Sequence, residues 1–169
     1  MVLSSIFFFA SVDARYVING NCLVIFCNIL IKFPQILQQL KPPHDCPASW
    51  IRNEDSSYCF VKKGLQWSSS KESCISMGAH LLAIETELEK TWIQDKASGD
   101  SWWIGGTDLN SEGTFYWEHS SKNMTYTNWY SNQPDNDTIG INENCVSMVR
   151  SGYWHDYPCN HTFYYICEK

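Results

Sequence analysis

Hydrophobic and polar positions along the chain switch between the two-residue period of strands and the longer period of helices. Two short aromatic and β-branched runs, Ser49–Ile51 and Tyr58–Val61, flank a polar turn and predict a hairpin. Apolar residues recur at helical spacing over Trp67–Met77, which predicts a helix with Ser68 or Ser69 as its N-cap.

A second helix is predicted between two buried strands. The strands are Leu81–Ile84 and Trp102–Gly105, both of which are short apolar runs. The helix begins at Thr86, and Glu89 occupies the acidic position of a capping box. The buried face of this helix is predicted to consist of Leu88, Trp92 and Ile93.

The chain after the second strand is predicted to be mostly a loop, which extends from Gly106 to Asn144 around a short apolar run at Phe115–Trp117. A loop of this length inside a compact domain is usually functional. Two helices and many short strands around it predict an α+β domain. The closing strands are predicted at Cys145–Val149, Trp154 and Phe163–Cys167.

The cysteines indicate an exported protein with disulfide bonds. Six of the eight lie beyond residue 45 without zinc-ligand spacing, which predicts three disulfides and an oxidising compartment. Three Asn-x-Thr sequons agree with export, since such sites carry glycans in secreted proteins. The six cysteines are Cys46, Cys59, Cys74, Cys145, Cys159 and Cys167, and the sequons begin at Asn123, Asn136 and Asn160.

The first 45 residues differ in character from the rest and are predicted to be a leader and a linker. Residues 1–14 have the apolar stretch and the small residues of a signal peptide, although a basic start is missing. Residues 15–45 contain a second apolar run, Cys22–Ile31, which is shorter than the ~20 residues that a membrane span needs. A secreted protein is favoured over one with an N-terminal anchor. The domain is expected to begin at Cys46, after a proline boundary, and to extend to Lys169.

Two further cysteines, Cys22 and Cys27, lie in this N-terminal segment, outside the predicted domain. They could pair with each other, bridge two chains or belong to a part that is removed with the leader. Lys32 follows the apolar run, and a positive charge on that side argues against an anchor of type II topology.

Charge and motifs exclude several classes of function. The net charge of −6, with only 18% charged residues, is opposite to the basic surface of proteins that bind nucleic acids or anionic membranes. The nucleophile motif Gly-x-Ser-x-Gly and a helical histidine pair are both absent from the sequence. An enzyme is therefore not predicted.

Four oxygen-bearing side chains occur close to the cysteines near the C-terminus. Carboxylate and amide oxygens are the ligands that a hard cation such as calcium prefers. A cation held on a surface loop retains coordination positions that the hydroxyl groups of a ligand can fill. The pattern predicts calcium-dependent recognition rather than catalysis. The side chains are those of Gln133, Asp135, Glu143 and Asp156.

The order and spacing of these motifs resemble the C-type lectin-like domain, in its long form with an N-terminal hairpin. Within that family, the segment from Trp103 to Trp117 is most similar to perlucin-type lectins of molluscs. The resemblance implies an α+β fold with two helices, short antiparallel strands, a long calcium-binding loop and three disulfides. The matching stretches include Cys46–Trp50, Tyr58–Phe60, Gly78–Leu81, Trp103–Gly106, Gln133–Asp135, Glu143–Val146, Trp154–Asp156 and Ile166–Cys167.

The resemblance also implies how the cysteines pair and which residues bind calcium. The pairs would be Cys46–Cys59, Cys74–Cys167 and Cys145–Cys159. Pro134 would follow a cis peptide bond, which turns the oxygens on either side toward the ion. The principal calcium site would consist of Gln133, Asp135, Glu143 and Asp156.

Two departures from the family pattern affect the expected sites. An auxiliary calcium site would use Asp108, Glu112 and Glu143, but asparagines replace its other usual acids, so it is expected to be partial. His155 stands where the family usually has asparagine, and histidine is a poor ligand for calcium. If His155 lies beside the ion, its protonation should weaken binding as the pH falls through about 6–7. If it points into solvent, Asp156 alone completes the site. The asparagines that replace acids of the auxiliary site are Asn136 and Asn144.

The resemblance implies a secreted, calcium-dependent carbohydrate-binding protein in glycan recognition or innate defence, whose partners are glycans or glycoproteins. The order of amide and acid in Gln133–Asp135 is that of galactose-type binders, since a sugar diol donates hydrogen bonds to carboxylates and accepts them from amides. Such binders stack an aromatic ring on the sugar, and Tyr130 or Tyr153 is available for this role. Two alternatives remain: a matrix protein that associates with mineral, and a calcium-independent receptor for a protein ligand.

Overall fold

The computed structural model describes residues 46, 48–97, 99–136 and 142–169, so the predictions for the first 45 residues lie outside the described part. Helix α1 spans Trp67–Ser76 and helix α2 spans Glu87–Lys96. Within these ranges, neither helix has the length and hydropathy needed to cross a membrane. The strands are β1 (Ile51–Asn53), β2 (Ser56–Leu65), β3 (His80–Leu81), β4 (Trp102–Thr107), β5 (Tyr116–Trp117), β6 (Lys122–Asn123), β7 (Cys145–Met148), β8 (Trp154–Tyr157) and β9 (Phe163–Glu168).

Strands β2, β9 and β4 form the centre of the sheet. Strand β2 is antiparallel to β9, with Cys59 opposite Cys167, and β9 is parallel to β4, with Trp102 opposite Tyr164. Strand β1 extends this row beyond β2, as the predicted hairpin requires, and β5 and β6 extend it beyond β4. Strand β7 pairs with both β4 and β8, so the β7–β8 hairpin branches from the centre. The predicted α+β fold is confirmed.

Strand β4 is buried along its whole length, as its continuous apolar sequence predicts. Trp102 and Ile104 belong to one hydrophobic cluster and Trp103 to a second, because alternate residues of a strand point to opposite faces. The strand also passes close to β3: a Cβ atom added at Gly105 would lie only 2.8 Å from the Leu81 carbonyl oxygen. Only glycine fits this approach without displacing the backbone.

Three disulfides connect the elements in the pairing that the resemblance implies. One joins the start of the domain to β2, one joins α1 to β9, and one closes the β7–β8 hairpin. None of the described cysteines is free. The predicted framework is confirmed as Cys46–Cys59, Cys74–Cys167 and Cys145–Cys159.

The start of α1 differs from the prediction. The N-cap is Gln66, whose side chain makes no capping hydrogen bond, so the assignment of Ser68 or Ser69 was wrong. The Trp67 N–H donates instead to the carbonyl oxygen of Cys159, at 3.1 Å. A distant segment thus satisfies one of the first backbone donors of the helix, which have no partner within the helix itself.

The start of α2 follows the prediction more closely. The Glu89 N–H donates to the Thr86 hydroxyl at 3.2 Å, which confirms Thr86 as the N-cap. The Glu89 carboxylate accepts a hydrogen bond from the Tyr58 hydroxyl at 2.9 Å, so the first turn docks through a polar contact. Ile93 is buried as predicted, whereas Leu88 is 80% exposed and does not belong to the buried face.

The ends of strands β3 and β4 also differ from the predicted strand ends. Strand β3 ends at Leu81, although Leu82–Ile84 is buried as predicted. The predicted long loop begins at Asp108 instead of Gly106, since β4 continues to Thr107, and β5 and β6 lie within it. The last part of this loop contains Gln133, Asp135 and Glu143, and the fourth predicted oxygen ligand, Asp156, lies in β8.

Candidate functional site

A turn and a hairpin position the predicted ligand residues. The Gln133 N–H donates to the Tyr130 carbonyl oxygen at 3.0 Å, which closes a turn just before Pro134, and the peptide bond between Gln133 and Pro134 is cis. In the β7–β8 hairpin, Val146 lies opposite Asp156. The disulfide at the base of this hairpin holds the approach to β7 and the end of β8 together.

Three carboxyl groups meet where the turn faces the hairpin. One oxygen from each of Asp135, Glu143 and Asp156 lies within 4.8 Å of the other two. Asp135 is exposed, Glu143 is half-buried, and Asp156 is only 2% exposed. Segments separated in sequence therefore converge on one small acidic region, as the motif spacing predicts.

Backbone hydrogen bonds fix Asp156 against the turn. Its two carboxylate oxygens accept hydrogen bonds from the Asp135 N–H at 3.2 Å and the Asn136 N–H at 3.0 Å. The Asp156 N–H donates in turn to the Gln133 side-chain oxygen, at 3.2 Å. All four predicted residues of the principal site are thus brought to one place, although the Gln133 oxygen already accepts a backbone N–H.

Burial raises the pKa of Asp156, while the hydrogen bonds from the Asn136 and Asp135 amides act in the opposite direction. The nearby charge of Asp135 raises the pKa further. Among the described residues, no lysine or arginine forms an ion pair with Asp135 or Asp156. A bound cation would relieve this repulsion, and oxygen donors of this kind fit a hard divalent cation such as calcium.

The three acids expected at an auxiliary calcium site do not form a tight acidic group among the described residues, and the site stays a prediction. Asp108 is 1% exposed, and its carboxylate accepts hydrogen bonds from the Asn144 side-chain amide at 3.0 Å and the Gly113 N–H at 2.8 Å. Glu112 is exposed, and in the described part of the chain it does not form a group with Asp108 and Glu143. Asn144 thus gives Asp108 a hydrogen-bond donor at a position where the family pattern has an acid.

Asn136 has a structural role that the sequence analysis missed. Its side-chain oxygen accepts a hydrogen bond from the Glu143 N–H at 2.9 Å, while its own N–H donates to Asp156. Its φ angle of 48° lies in the left-handed region, which asparagine tolerates better than most residues. The only sequence feature that could have indicated this role is that Asn136 directly follows Asp135. Asn136 connects the two halves of the acidic region.

His155 lies beside the acidic region without joining it. Its ring stacks between Tyr130, at a centroid distance of 5.1 Å, and Tyr157, at 5.9 Å. The ring nitrogens are not part of the group formed by the three carboxylates. Burial lowers the pKa of His155, and the charges of Asp156 and Asp135 oppose this shift. The predicted pH dependence through His155 stays a prediction.

The three predicted glycosylation sites differ in their surroundings. Asn123 on β6 and Asn160 after β8 are exposed. Asn136 is half-buried, and its side chain is engaged with Glu143 as described above. Glycosylation at all three positions stays a prediction.

Comparison with known proteins identifies the family. The sequence pattern of the family described as Lectin C-type domain matches residues 63–169. The chain belongs to the C-type lectin domain family. This lectin domain is similar in structure to the mouse scavenger receptor C-type lectin carbohydrate-recognition domain, with a TM-score of 0.70 and 32% identity over 74% of this chain and 98% of that one.

Two relatives show how far the similarity extends. Hepatic lectin of Gallus gallus is 31% identical over 71% of this chain and 58% of its own length. The perlucin-like protein of Mytilus galloprovincialis is 32% identical over 74% of this chain and 83% of its own length, which confirms the predicted likeness to perlucin-type lectins. The lectin chain spans about half the length of vertebrate relatives such as hepatic lectin. The family consists of carbohydrate-binding domains without enzymatic activity.

Proposed function

We propose that this C-type lectin binds glycans through calcium at the region formed by Gln133, Asp135, Glu143 and Asp156. The observation that carries the proposal is the convergence of three carboxylates within 4.8 Å in a domain of this family. A bound calcium ion would supply open coordination positions for two neighbouring sugar hydroxyls. The four residues would hold the ion, the carboxylates would accept hydrogen bonds from the same hydroxyls, and the Gln133 amide nitrogen would donate one.

We further propose that the ligands are glycans on secreted or cell-surface glycoproteins and that the protein is itself secreted. Three disulfides support an oxidising compartment, since such bonds persist outside the cytosol. The acidic net charge of −6 supports a neutral glycan over an anionic polymer as the ligand.

Binding to immobilised galactosides and mannosides in calcium, and again in excess chelator, tests the function. We expect binding in calcium and none in chelator, because the sugar hydroxyls are proposed to fill coordination positions of the calcium ion itself. Equal binding in both conditions would instead favour the calcium-independent receptor. Magnesium in place of calcium serves as the control for a general effect of divalent charge.

We propose galactose-type selectivity from the order of the two side chains around Pro134. Gln133 can donate a hydrogen bond to a sugar oxygen through its amide nitrogen. The ionised carboxylate of Asp135 has no proton and can only accept hydrogen bonds. The Gln133 oxygen is already held by the Asp156 N–H, so the amide group has a defined orientation. The donor at Gln133 thus precedes Pro134, and the acceptor at Asp135 follows it.

Exchange of donor and acceptor should reverse the selectivity. In the double variant Gln133→Glu with Asp135→Asn, the ratio of galactoside to mannoside affinity should fall by about tenfold or more, because each hydrogen bond to a charged group contributes roughly 1.5–3 kcal/mol. Competition with methyl galactoside and methyl mannoside measures the ratio. The double variant keeps the number of carboxylates, and the single variant Asp135→Asn, which loses one, is the control for calcium affinity. An unchanged ratio in a calcium-binding double variant would refute the selectivity.

A further inference from the structure

Two exposed tyrosines stand out on the surface next to the proposed sugar site. Tyr130 is 49% exposed and Tyr153 is 44% exposed, and their ring centroids lie 5.7 Å apart in an edge-to-face arrangement. The other large hydrophobic side chains that are exposed in the described part of the chain are aliphatic. Exposed aromatic rings in contact with each other indicate a binding surface more strongly than scattered aliphatic residues do. The aliphatic residues are Ile51, Ile75, Leu88 and Leu109.

The backbone at both tyrosines is held in place. The Tyr130 N–H donates to the Trp154 carbonyl oxygen at 2.9 Å, and the Tyr130 carbonyl oxygen accepts from Gln133 as described above. The Tyr153 carbonyl oxygen accepts from the Val149 N–H at 2.8 Å, directly before β8 begins. Rigid positions of this kind reduce the entropy lost when a ligand binds.

The ring of Tyr130 is supported from one side. Its plane is inclined by 21° to that of His155, and the His155 ring is inclined by 19° to that of Tyr157, so the three rings form a nearly parallel stack. An asparagine at position 155 would offer no ring to this stack. The histidine that departs from the family pattern therefore supports an aromatic platform, which we define as Tyr130 and Tyr153.

The platform is continuous with the proposed calcium site. Tyr130 and Gln133 are the ends of one turn, and the α-carbons of such residues lie within about 7 Å of each other. His155 directly precedes Asp156 and lies close enough to Asp135 for its charge to act on the histidine. A sugar bound at the carboxylates would have its next glycosidic neighbour within reach of the rings.

We propose that Tyr130 and Tyr153 form a subsite for a second, neutral sugar ring that is linked to the sugar at the calcium site. The C–H bonds on the apolar face of a pyranose are attracted to the negative face of an aromatic ring, while its hydroxyls stay in water. The carboxylates beside the platform disfavour an anionic second sugar. This subsite rests on the proposed function, and it makes the lectin select for disaccharide sequence as well as for the terminal sugar.

Affinities for methyl β-galactoside, lactose and a β1-3-linked galactose disaccharide test the proposal, together with methyl α-mannoside and mannobiose. In Tyr130→Ala and in Tyr153→Ala, at least one disaccharide should lose about 2- to 10-fold in affinity, as expected for one aromatic contact. The methyl glycosides should lose much less affinity than the disaccharides, because the rings are placed at the second sugar and not, as the sequence pattern suggested, at the terminal one. Tyr153 is 44% exposed and meets Tyr130 in an edge-to-face contact, so its variant should keep the fold if Tyr130→Ala does not. Leu88→Ala, on the exposed side of α2, is the control.

The monosaccharide measurements separate the two proposals. Equal losses for methyl glycosides and disaccharides would place Tyr130 at the terminal sugar and overturn the second subsite. Unchanged disaccharide affinities would also overturn it, as would altered self-association of the variants, which would identify a second copy as the occupant. If the native lectin binds no methyl glycoside in calcium, the proposed function itself fails and the subsite fails with it.

Discussion

Replacement of Asp135 by alanine should reduce calcium affinity and calcium-dependent sugar binding by more than about 100-fold. Loss of residues that only orient a metal ligand typically costs 10–100-fold, and Asp135 is itself one of the three carboxylates that meet within 4.8 Å. The substitution keeps the Asp135 backbone N–H, which donates to Asp156. The fold should therefore be retained, as circular dichroism and non-reducing peptide mapping can verify.

The matched control is Asp55→Ala, which removes an exposed carboxylate from the turn between β1 and β2. Calorimetry gives the calcium affinity, and thermal unfolding gives a second readout. Calcium at a hundredfold excess over its Kd should stabilise the native lectin and the Asp55 control by about 2.7 kcal/mol. The Asp135 variant should show no such increase at the same concentration. An Asp135 variant that binds both calcium and sugar like the native protein would show that the site has been misplaced.

Removal of the disulfide between Cys74 and Cys167 should be the most destabilising change in the framework. The two residues are 93 positions apart, and closing a loop of this length stabilises the folded state by about 4.7 kcal/mol in the chain-entropy model. Both cysteines are completely buried, so the double alanine variant also leaves unfilled volume in the core. Urea unfolding of this variant should show a loss of at least this size, or an unfolded protein.

The disulfide between Cys46 and Cys59 provides the comparison. It closes a loop of 13 residues, for which the same model gives about 3 kcal/mol. Its double alanine variant should therefore be more stable than the first by well over 1 kcal/mol. If both variants lose the same amount, the unfolded-state entropy does not dominate, and local packing around each disulfide must explain the loss.

Local patterns predicted the helices, the first hairpin and the buried strands, because the spacing of apolar residues matches the side-chain period of one element type. Thr86 was found as an N-cap because its partner, Glu89, lies three residues away. The start of α1 could not be found in the same way, since the Trp67 N–H is hydrogen-bonded to the carbonyl oxygen of Cys159, which is distant in sequence. Exposure of Leu88 had a similar origin, because the first turn of α2 docks through Glu89 and Tyr58.

The candidate site shows the same division. Its four oxygen ligands could be predicted from residue type and order, and the structure places them together. One feature beside it depends on a neighbour that no local pattern reveals. The Asn144 side-chain amide donates to the carboxylate of Asp108, a residue 36 positions away.

The sequence by itself determined the element types and that six cysteines form disulfides, because these depend on residue identity and on spacing along the chain, and the resemblance to a known family supplied the pairing. The tertiary structure alone decided that His155 stacks on Tyr130 and that Tyr130 meets Tyr153. Such contacts arise when a turn packs against a separate hairpin. Distances of a few ångströms between such segments follow from the packing of the whole domain and cannot be derived from either segment alone.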